Sequence, residues 1–450
     1  MRASALALLA LLYFAPRLPF LDKPLMGEEG IFAELFASHG ADPSQAQMGR
    51  IKGEAIRQAL GHPTGLYASI AGLGRLLEAP WKALLGEDCH PVWSLRLSFS
   101  LFQFVAWAAL GCFIAPALWA SPWLWLPLAV LMNAPMALGG SLYLQTDPSN
   151  GALLAGLLGL ALAGTALRGA DGLAQAGLAA ACFLLGLGAK QEWSLGVAGG
   201  FALAWAWARW ERAADSGEGK ALALALAALA LGNFMSWRFD PGNYEAGLGL
   251  MLRLGKSHNA ISGSKRLLAG AMLMRGQFLL ALGALWAALF WMQRRLPSAG
   301  LRFGLGASLA LSLPYMATAW GTDYRYFIPP FMLAATLCLA LLAKGRFFEG
   351  PKLRRGVLLA SALLGLHAAF FWSDALLRDY SVTEQFFRKR GEYLAVYAAR
   401  EAQARQGACV AAMASGLAWD RKDLDWLGDS FSPEDIQGIS LAHGARACAR

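Results

Sequence analysis

Apolar residues come in long unbroken runs along this chain, where a soluble sheet would alternate them with polar ones. Segments near 3–20, 93–113, 121–141, 150–167, 172–189, 193–210, 220–237, 268–292, 300–320, 326–343 and 355–373 are nearly free of charge. Most approach the roughly 20 residues that a helix needs to cross a hydrocarbon core. In such a core only a helix or a closed barrel satisfies its own backbone N–H and C=O groups. The pattern therefore predicts an all-α polytopic membrane protein with about eleven transmembrane helices.

The polar stretches between the runs sort by charge. Arg168, Arg209 to Arg212 with Lys220, Arg294-Arg295 with Arg302, and Lys344 to Arg355 alternate with loops at 142–149, 190–192, 238–267 and 321–325. Cations concentrate on the cytoplasmic side of a membrane protein. The first set is thus expected inside, together with Arg2, and the second outside. Residues 63–78 break this alternation if they span, and they hold only about a dozen uninterrupted apolar residues before Arg75 and Glu78, too few to cross. They read as an interfacial helix. Residues 21–92 then form one long first external loop carrying two such helices, the other opening at Glu28 with Ile31, Phe32, Leu35 and Phe36 at helical spacing. Beyond 373 the chain becomes about a quarter charged, with mixed signs, like an ordinary soluble domain. The expected organisation is a transmembrane domain over 1–373 and a small extracytoplasmic domain over 374–450. No internal repeat of fixed period is visible.

Composition agrees with the pattern. Of the 450 residues 57% are hydrophobic and 15% charged, and the mean hydropathy is +0.42; soluble domains are about 25% charged. The net charge of +9 follows from cations at span ends. No basic stripe interleaved with aromatics is present, so no nucleic-acid partner is expected. Arg2 and the apolar run after it look like a signal peptide, but Pro16-Arg17-Leu18-Pro19 offers no small-residue cleavage site, and the run reads as an uncleaved first span. The six cysteines have no metal-ligand spacing. Cys112, Cys182 and Cys338 fall in apolar runs, and Cys409 and Cys448 fall in the tail, where an oxidising compartment would permit a bridge.

This topology gathers ionisable residues on the external face: Glu28 and Glu29, His62, Asp147, Lys190 with Glu192, the loop from Arg253 to Arg266 with Lys256 and His258, and Tyr324-Arg325-Tyr326. Each has a bland reading. Acidic residues favour a first helical turn, Asp147 before Pro148 is a good N-cap, Lys190 and Glu192 neutralise each other at a span end, and Arg325 between tyrosines is a good interface anchor. Yet carboxylates and cations converge on one side. That combination suits a base activating a hydroxyl while cations hold an anionic leaving group.

Several of these stretches resemble one family. Gly27-Glu28-Glu29-Gly30-Ile31-Phe32-Ala33 is similar to the Asp-Glu-Gly/Ala-x-Tyr-Ala motif of integral-membrane glycosyltransferases of the GT-C fold, nearest the protein O-mannosyltransferases and the lipid A aminoarabinose transferase. His62-Pro63-Thr64-Gly65-Leu66-Tyr67 resembles their His/Lys-Pro-Pro-Leu-Tyr segment, and Arg96-Leu97-Ser98-Phe99-Ser100 their Arg-Leu-Pro-Ser. Thr146-Asp147-Pro148-Ser149 resembles a later family Asp, and Tyr324-Arg325-Tyr326-x-x-Pro329 their Arg-Tyr-x-x-Pro. The order agrees across residues 1–345, whereas each motif alone is weak. Two positions depart: Glu28 stands where the family most often has Asp, and Thr64 replaces the second proline.

The resemblance implies transfer of a sugar from a polyprenyl-phosphate donor to an extracytoplasmic acceptor hydroxyl on lipid, glycan or protein, with inversion at the anomeric carbon. It assigns Glu28 as the base, Glu29 as an orienting carboxylate and Asp147 as a carboxylate near the sugar. His62, Tyr67, Lys190, Lys256, His258, Tyr324 and Arg325 would bind substrate, with Arg325 on the phosphate, where a planar guanidinium suits bidentate contact. No cofactor is assigned; a divalent metal stays open, although Glu28 and His258 lack ligand spacing. The expected location is a plasma (bacterial inner) membrane, with the site on its outer face and membrane lipids as neighbours. The rival reading is a transporter or flippase of a lipid-linked or amphipathic solute, a class that favours internal repeats and midplane sites.

Overall fold

A computed structural model describes residues 1–21, 76–86, 91–142, 146–168, 191–211, 216–239, 276–316, 324–345 and 350–377. Among these residues every regular element is helical and there is no strand. Helix α1 (Arg2–Phe14) runs into a 3-10 turn, Ala15–Phe20. A short helix α2 covers 76–85. It is followed by α3 (Pro91–Ala120), a 3-10 turn at Pro122–Leu124, α4 (Trp125–Met132), α5 (Pro135–Ser141) and α6 (Thr146–Arg168). The remainder are α7 (Gln191–Trp210), α8 (Ser216–Phe239), α9 (Gly276–Arg295), α10 (Ala299–Met316), a 3-10 turn Tyr324–Phe327 leading into α11 (Ile328–Lys344), and α12 (Pro351–Leu377). The stretch Arg2–Phe20 and the α3 stretch Trp93–Ala120 are long and apolar enough to cross a membrane; shorter apolar helices lie at Pro122–Met132, Gly151–Leu167, Ala299–Leu313 and Ile328–Lys344. The expected span at 172–189, most of the interfacial segment 63–78 and the tail from 378 lie outside the described residues.

Two compact units divide the chain, one made of Met1–Phe20, Phe99–Ser236 and Gly255–Arg378, the other of Leu21–Ser98, Trp237–Leu254 and Asp379–Arg450. In the second, α2 is pinned by the Trp81 indole N–H donating to Ser98 Oγ at 2.8 Å. It stops at Gly86, whose φ of +98° only glycine adopts without strain.

The first unit is a helix bundle centred on α11, in which every residue from Ile328 to Leu341 is buried. A helix apolar on all sides belongs inside other helices. Its neighbours reach it through small residues. Gly156 and Gly159 of α6 lie against Thr336 and Leu333. Helices α6 and α11 run in the same direction because each is antiparallel to α10: Gly300 meets Thr165 and Gly304 meets both Leu162 and Leu337, while Ser308 Oγ donates to the Pro330 carbonyl. Helices α7 and α10 cross antiparallel, Gly196 against Leu311 and Gly200 against the backbone of Ala307. Close backbone approach at small residues drives helix association where lipid removes the hydrophobic incentive. The first helix is antiparallel to α3: the Trp119 indole donates to the Met1 carbonyl at 3.1 Å, and the Tyr13 hydroxyl donates to the Ser100 carbonyl at 2.9 Å.

One expectation needs correction. Residues 121–141 do not form a continuous helix; the chain breaks at Asn133-Ala134 between α4 and α5. Proline at 135 forces the preceding residue out of the helical region, and Ala134 has ψ of 142°. The Asn133 amide then donates to the carbonyls of Leu12 and Ala129, each at 2.9 Å, and so stabilises the break.

The α7–α10 crossing gives a direct test. A Cβ on Gly200 would fall on the Ala307 backbone, whereas one on Gly164 meets nothing within 4 Å. Gly200→Ala should lower stability in detergent by about 1–3 kcal/mol through overpacking. Gly164→Ala should leave the unfolding midpoint unchanged or raise it, and equal midpoints for the two variants would contradict this packing.

Candidate functional site

Glu28, Glu29, His62, Tyr67, Lys190, Lys256 and His258 lie outside the described residues. Three of the expected site positions are within them. Asp147 is the second residue of α6, and Tyr324 and Arg325 open the 3-10 turn ahead of α11. These two elements meet the same neighbour: α5 touches the Tyr324–Phe327 turn and, through its C-terminal end, the α6 that follows it in the chain. The starts of parallel α6 and α11 therefore share one end of the bundle.

That end is organised by a residue to which the sequence analysis gave no role. Arg17, fully buried in the turn after α1, uses all five of its N–H groups. Its Nε donates to Ser141 Oγ at 2.8 Å. Nη1 donates to Asn133 Oδ1 at 2.8 Å and to the Tyr13 carbonyl. Nη2 donates to the Met132 carbonyl at 3.0 Å and to Gln103 Oε1 at 3.4 Å. The guanidinium carbon also lies 3.4 Å from the centroid of the Tyr13 ring. All five acceptors are neutral, and no carboxylate among the described residues pairs with it. Ser141 is held from a second side, because the Ser100 hydroxyl donates to its carbonyl at 2.9 Å. One side chain thus ties the exit of α1 to α3, to the α4–α5 break and to the last residue of α5. The signal in the sequence was a single arginine near the end of an otherwise uncharged first run.

In the second unit, Arg96 is also fully buried and its Nη1 donates to the Leu21 carbonyl.

The opposite end of the bundle differs in chemistry. Arg302, near the start of α10, forms a buried ion pair with Glu218 of α8. Glu211, which follows α7 and is partly exposed, lies 3.7 Å from the same guanidinium and accepts from the Trp207 indole at 2.7 Å. Toward the same helix ends, cations lie over aromatic rings: Arg209 over Trp205, Arg294 over Phe290, Arg295 over Trp291, Lys344 over Phe113 and Arg354 over Trp123, at 4.9 to 6.0 Å. Among the described residues no cluster of three or more His, Cys, Asp or Glu side chains is placed to hold a metal.

No protein-family model matches the chain, and no curated protein or solved structure matches it either.

The Arg302–Glu218 pair should behave as buried ion pairs do. Arg302→Met leaves a carboxylate without its cation and should cost about 3–5 kcal/mol, while adding Glu218→Leu should recover most of the loss. Thermal unfolding of the single and double variants measures this. A double variant no more stable than the single one would mean that Glu218 is not paired in the protein.

Proposed function

We propose that the chain is a multi-pass membrane glycosyltransferase of GT-C type, taking a sugar from a polyprenyl-phosphate donor to an extracytoplasmic hydroxyl. What supports a membrane setting is the asymmetry of the bundle. One end carries stacked cations and aromatic rings, the pairing expected where side chains meet headgroups on the cytoplasmic side. Helices α8 and α12 turn leucines outward, among them Leu231, Leu359, Leu363 and Leu366. In water such faces would form an unusually large apolar patch; against lipid they cost nothing.

The observation that carries the catalytic reading is the juxtaposition at the other end. Asp147 and Arg325 reach it on elements flanking α5, so a carboxylate and a guanidinium start from one place beside the bilayer. In this reading Arg325 holds the donor phosphate and Asp147 stands near the sugar. Glu28, from the acidic pair after the first span, removes the acceptor proton as the acceptor oxygen bonds to the anomeric carbon and the sugar–phosphate oxygen bond breaks on the opposite face. The phosphate leaves as the polyprenyl phosphate anion. A helix broken within a span is also a device of transporters, whose freed carbonyls bind ions. Here the freed Met132 carbonyl is occupied by Arg17, which favours the enzyme.

Glu28→Gln separates catalysis from helix capping. Loss of a capping charge costs about 0.3–1 kcal/mol, whereas loss of a general base costs on the order of 10²–10⁴ in turnover. The variant should keep its melting temperature and its binding of polyprenyl monophosphate but lose transfer. Near-normal transfer would remove Glu28 from the mechanism and leave Asp147 as the base. Arg325→Lys, which keeps the charge without the bidentate fork, should weaken polyprenyl monophosphate binding; unchanged affinity would move the phosphate to the loop containing Lys256.

A further inference from the structure

We propose that Arg17 is the positioning residue of the proposed site: it fixes α5, and through α5 the turn that carries Arg325. The proposal rests on the transferase reading for its chemical meaning, but its geometry stands on side chains away from that reading. Among the described side chains Arg17 bonds α5 at Ser141, the helix's last residue, and the Ser100 hydroxyl grips the same residue through its carbonyl. One residue earlier, Gly140 lies against the Ile328 side chain, so closely that a Cβ there would displace it. Ile328 directly follows the Tyr324–Phe327 turn. The connection is therefore Arg17, Ser141, Gly140, Ile328, turn. On the other side, Ser141 is followed within a few residues by the start of α6 and Asp147.

Two properties make Arg17 a positioning group. A short helix has little rigidity of its own, and α5 has only seven residues after a break that removes its link to α4. The guanidinium supplies the missing constraint by bonding both sides of the break, the Met132 carbonyl and Asn133 before it and Ser141 after it. A planar fork with five fixed donors does this; an ammonium, with three donors and a different reach, does not.

The test uses the full-length protein in lipid nanodiscs, with the six native cysteines replaced by serine. Gly140→Cys with Ile328→Cys reports the α5–α11 contact through oxidative cross-linking. Arg17→Lys, and the milder Ser141→Ala, are compared with Arg302→Met, which breaks a buried pair at the opposite end. If Arg302→Met does not fold, Arg302→Met/Glu218→Leu takes its place. We expect cross-linking to fall several-fold in the Arg17 and Ser141 variants and to persist in the Arg302 control at a comparable loss of melting temperature. Cross-linking that is unchanged, or that falls equally in the control, overturns the proposal, because a general stability role predicts that result.

Polyprenyl monophosphate binding is read in parallel without the engineered cysteines. The Arg17→Lys protein should bind roughly tenfold more weakly, as expected when preorganisation is lost, and the control should bind normally. Binding that stays normal in Arg17→Lys while cross-linking falls overturns the link to the site. Absence of binding in the unsubstituted protein defeats the transferase reading instead, and the cross-linking result still decides the positioning claim.

Discussion

A guanidinium removed from water carries a desolvation penalty of several kcal/mol, and a structure that keeps one buried must return that energy through hydrogen bonds. Among the described residues, Arg17 meets the condition without an anion. Two main-chain carbonyls, two side-chain amides and one hydroxyl take its five protons. These acceptors come from four places in the chain: α1 itself, α3, the α4–α5 break and the end of α5. None of those places is satisfied alone. The broken helix exposes a carbonyl, Gln103 is a buried amide on α3 one turn after Ser100, and the first apolar run ends in a charge. The freed carbonyl, the Gln103 Oε1 and the charge answer one another, so they assemble together. This makes the end of the bundle specific in a way that leucine packing is not, since apolar surfaces slide past one another at little cost.

Elsewhere the bundle is held by shape. The central α11 contributes almost no polar atoms, and α6, α7 and α10 approach through glycines whose missing side chains let backbones touch. Such contacts gain dispersion energy over many atom pairs and resist substitution because there is no room to relax. The two modes divide the labour along the bundle axis. Small residues fix the middle, a neutral hydrogen-bond network fixes one end, and the Arg302–Glu218 pair with its stacked cations fixes the other.

The elements legible in the sequence were those governed by one-dimensional rules. Uniform apolar runs mark helices because lipid or protein interior allows no other backbone, and nearly all described helices fall where those runs predict them. The alternation of basic loops agrees with the antiparallel pairing of α1 with α3 and of α7 with α10. What the pattern missed depends on partners distant in sequence. The break at Asn133-Ala134 needed Pro135 and also the Leu12 carbonyl, which the Asn133 amide finds more than a hundred residues upstream. Arg17 looked like part of a poor cleavage site because its acceptors, at 103, 132, 133 and 141, have no local relation to it. Of the candidate site, the positions of Asp147 and Arg325 at one end were legible from charge alternation alone. Their arrangement around α5 was not, since it depends on the parallel packing of α6 and α11.

For the proposed transferase, the same donor count bears on where an anionic lipid headgroup would be held. An arriving phosphate would compete for Arg17 only by displacing neutral acceptors, and each displaced group would be left buried without a partner at about 1–3 kcal/mol. The Met132 carbonyl and the Asn133 amide oxygen have no second protein donor to fall back on among the described residues. Releasing them would also reopen the break between α4 and α5. Arg17 is therefore saturated, and its charge acts on the surroundings only through the field it adds to that end of the bundle. A positive field there lowers the cost of bringing a phosphate to a neighbouring cation and stabilises a nearby carboxylate in its charged form. The proposed transfer, in which a base must be ionised while an anionic leaving group departs, would gain from both effects. The turn bearing Arg325 is coupled to Arg17 through α5, whose Gly140 lies against Ile328 just after that turn.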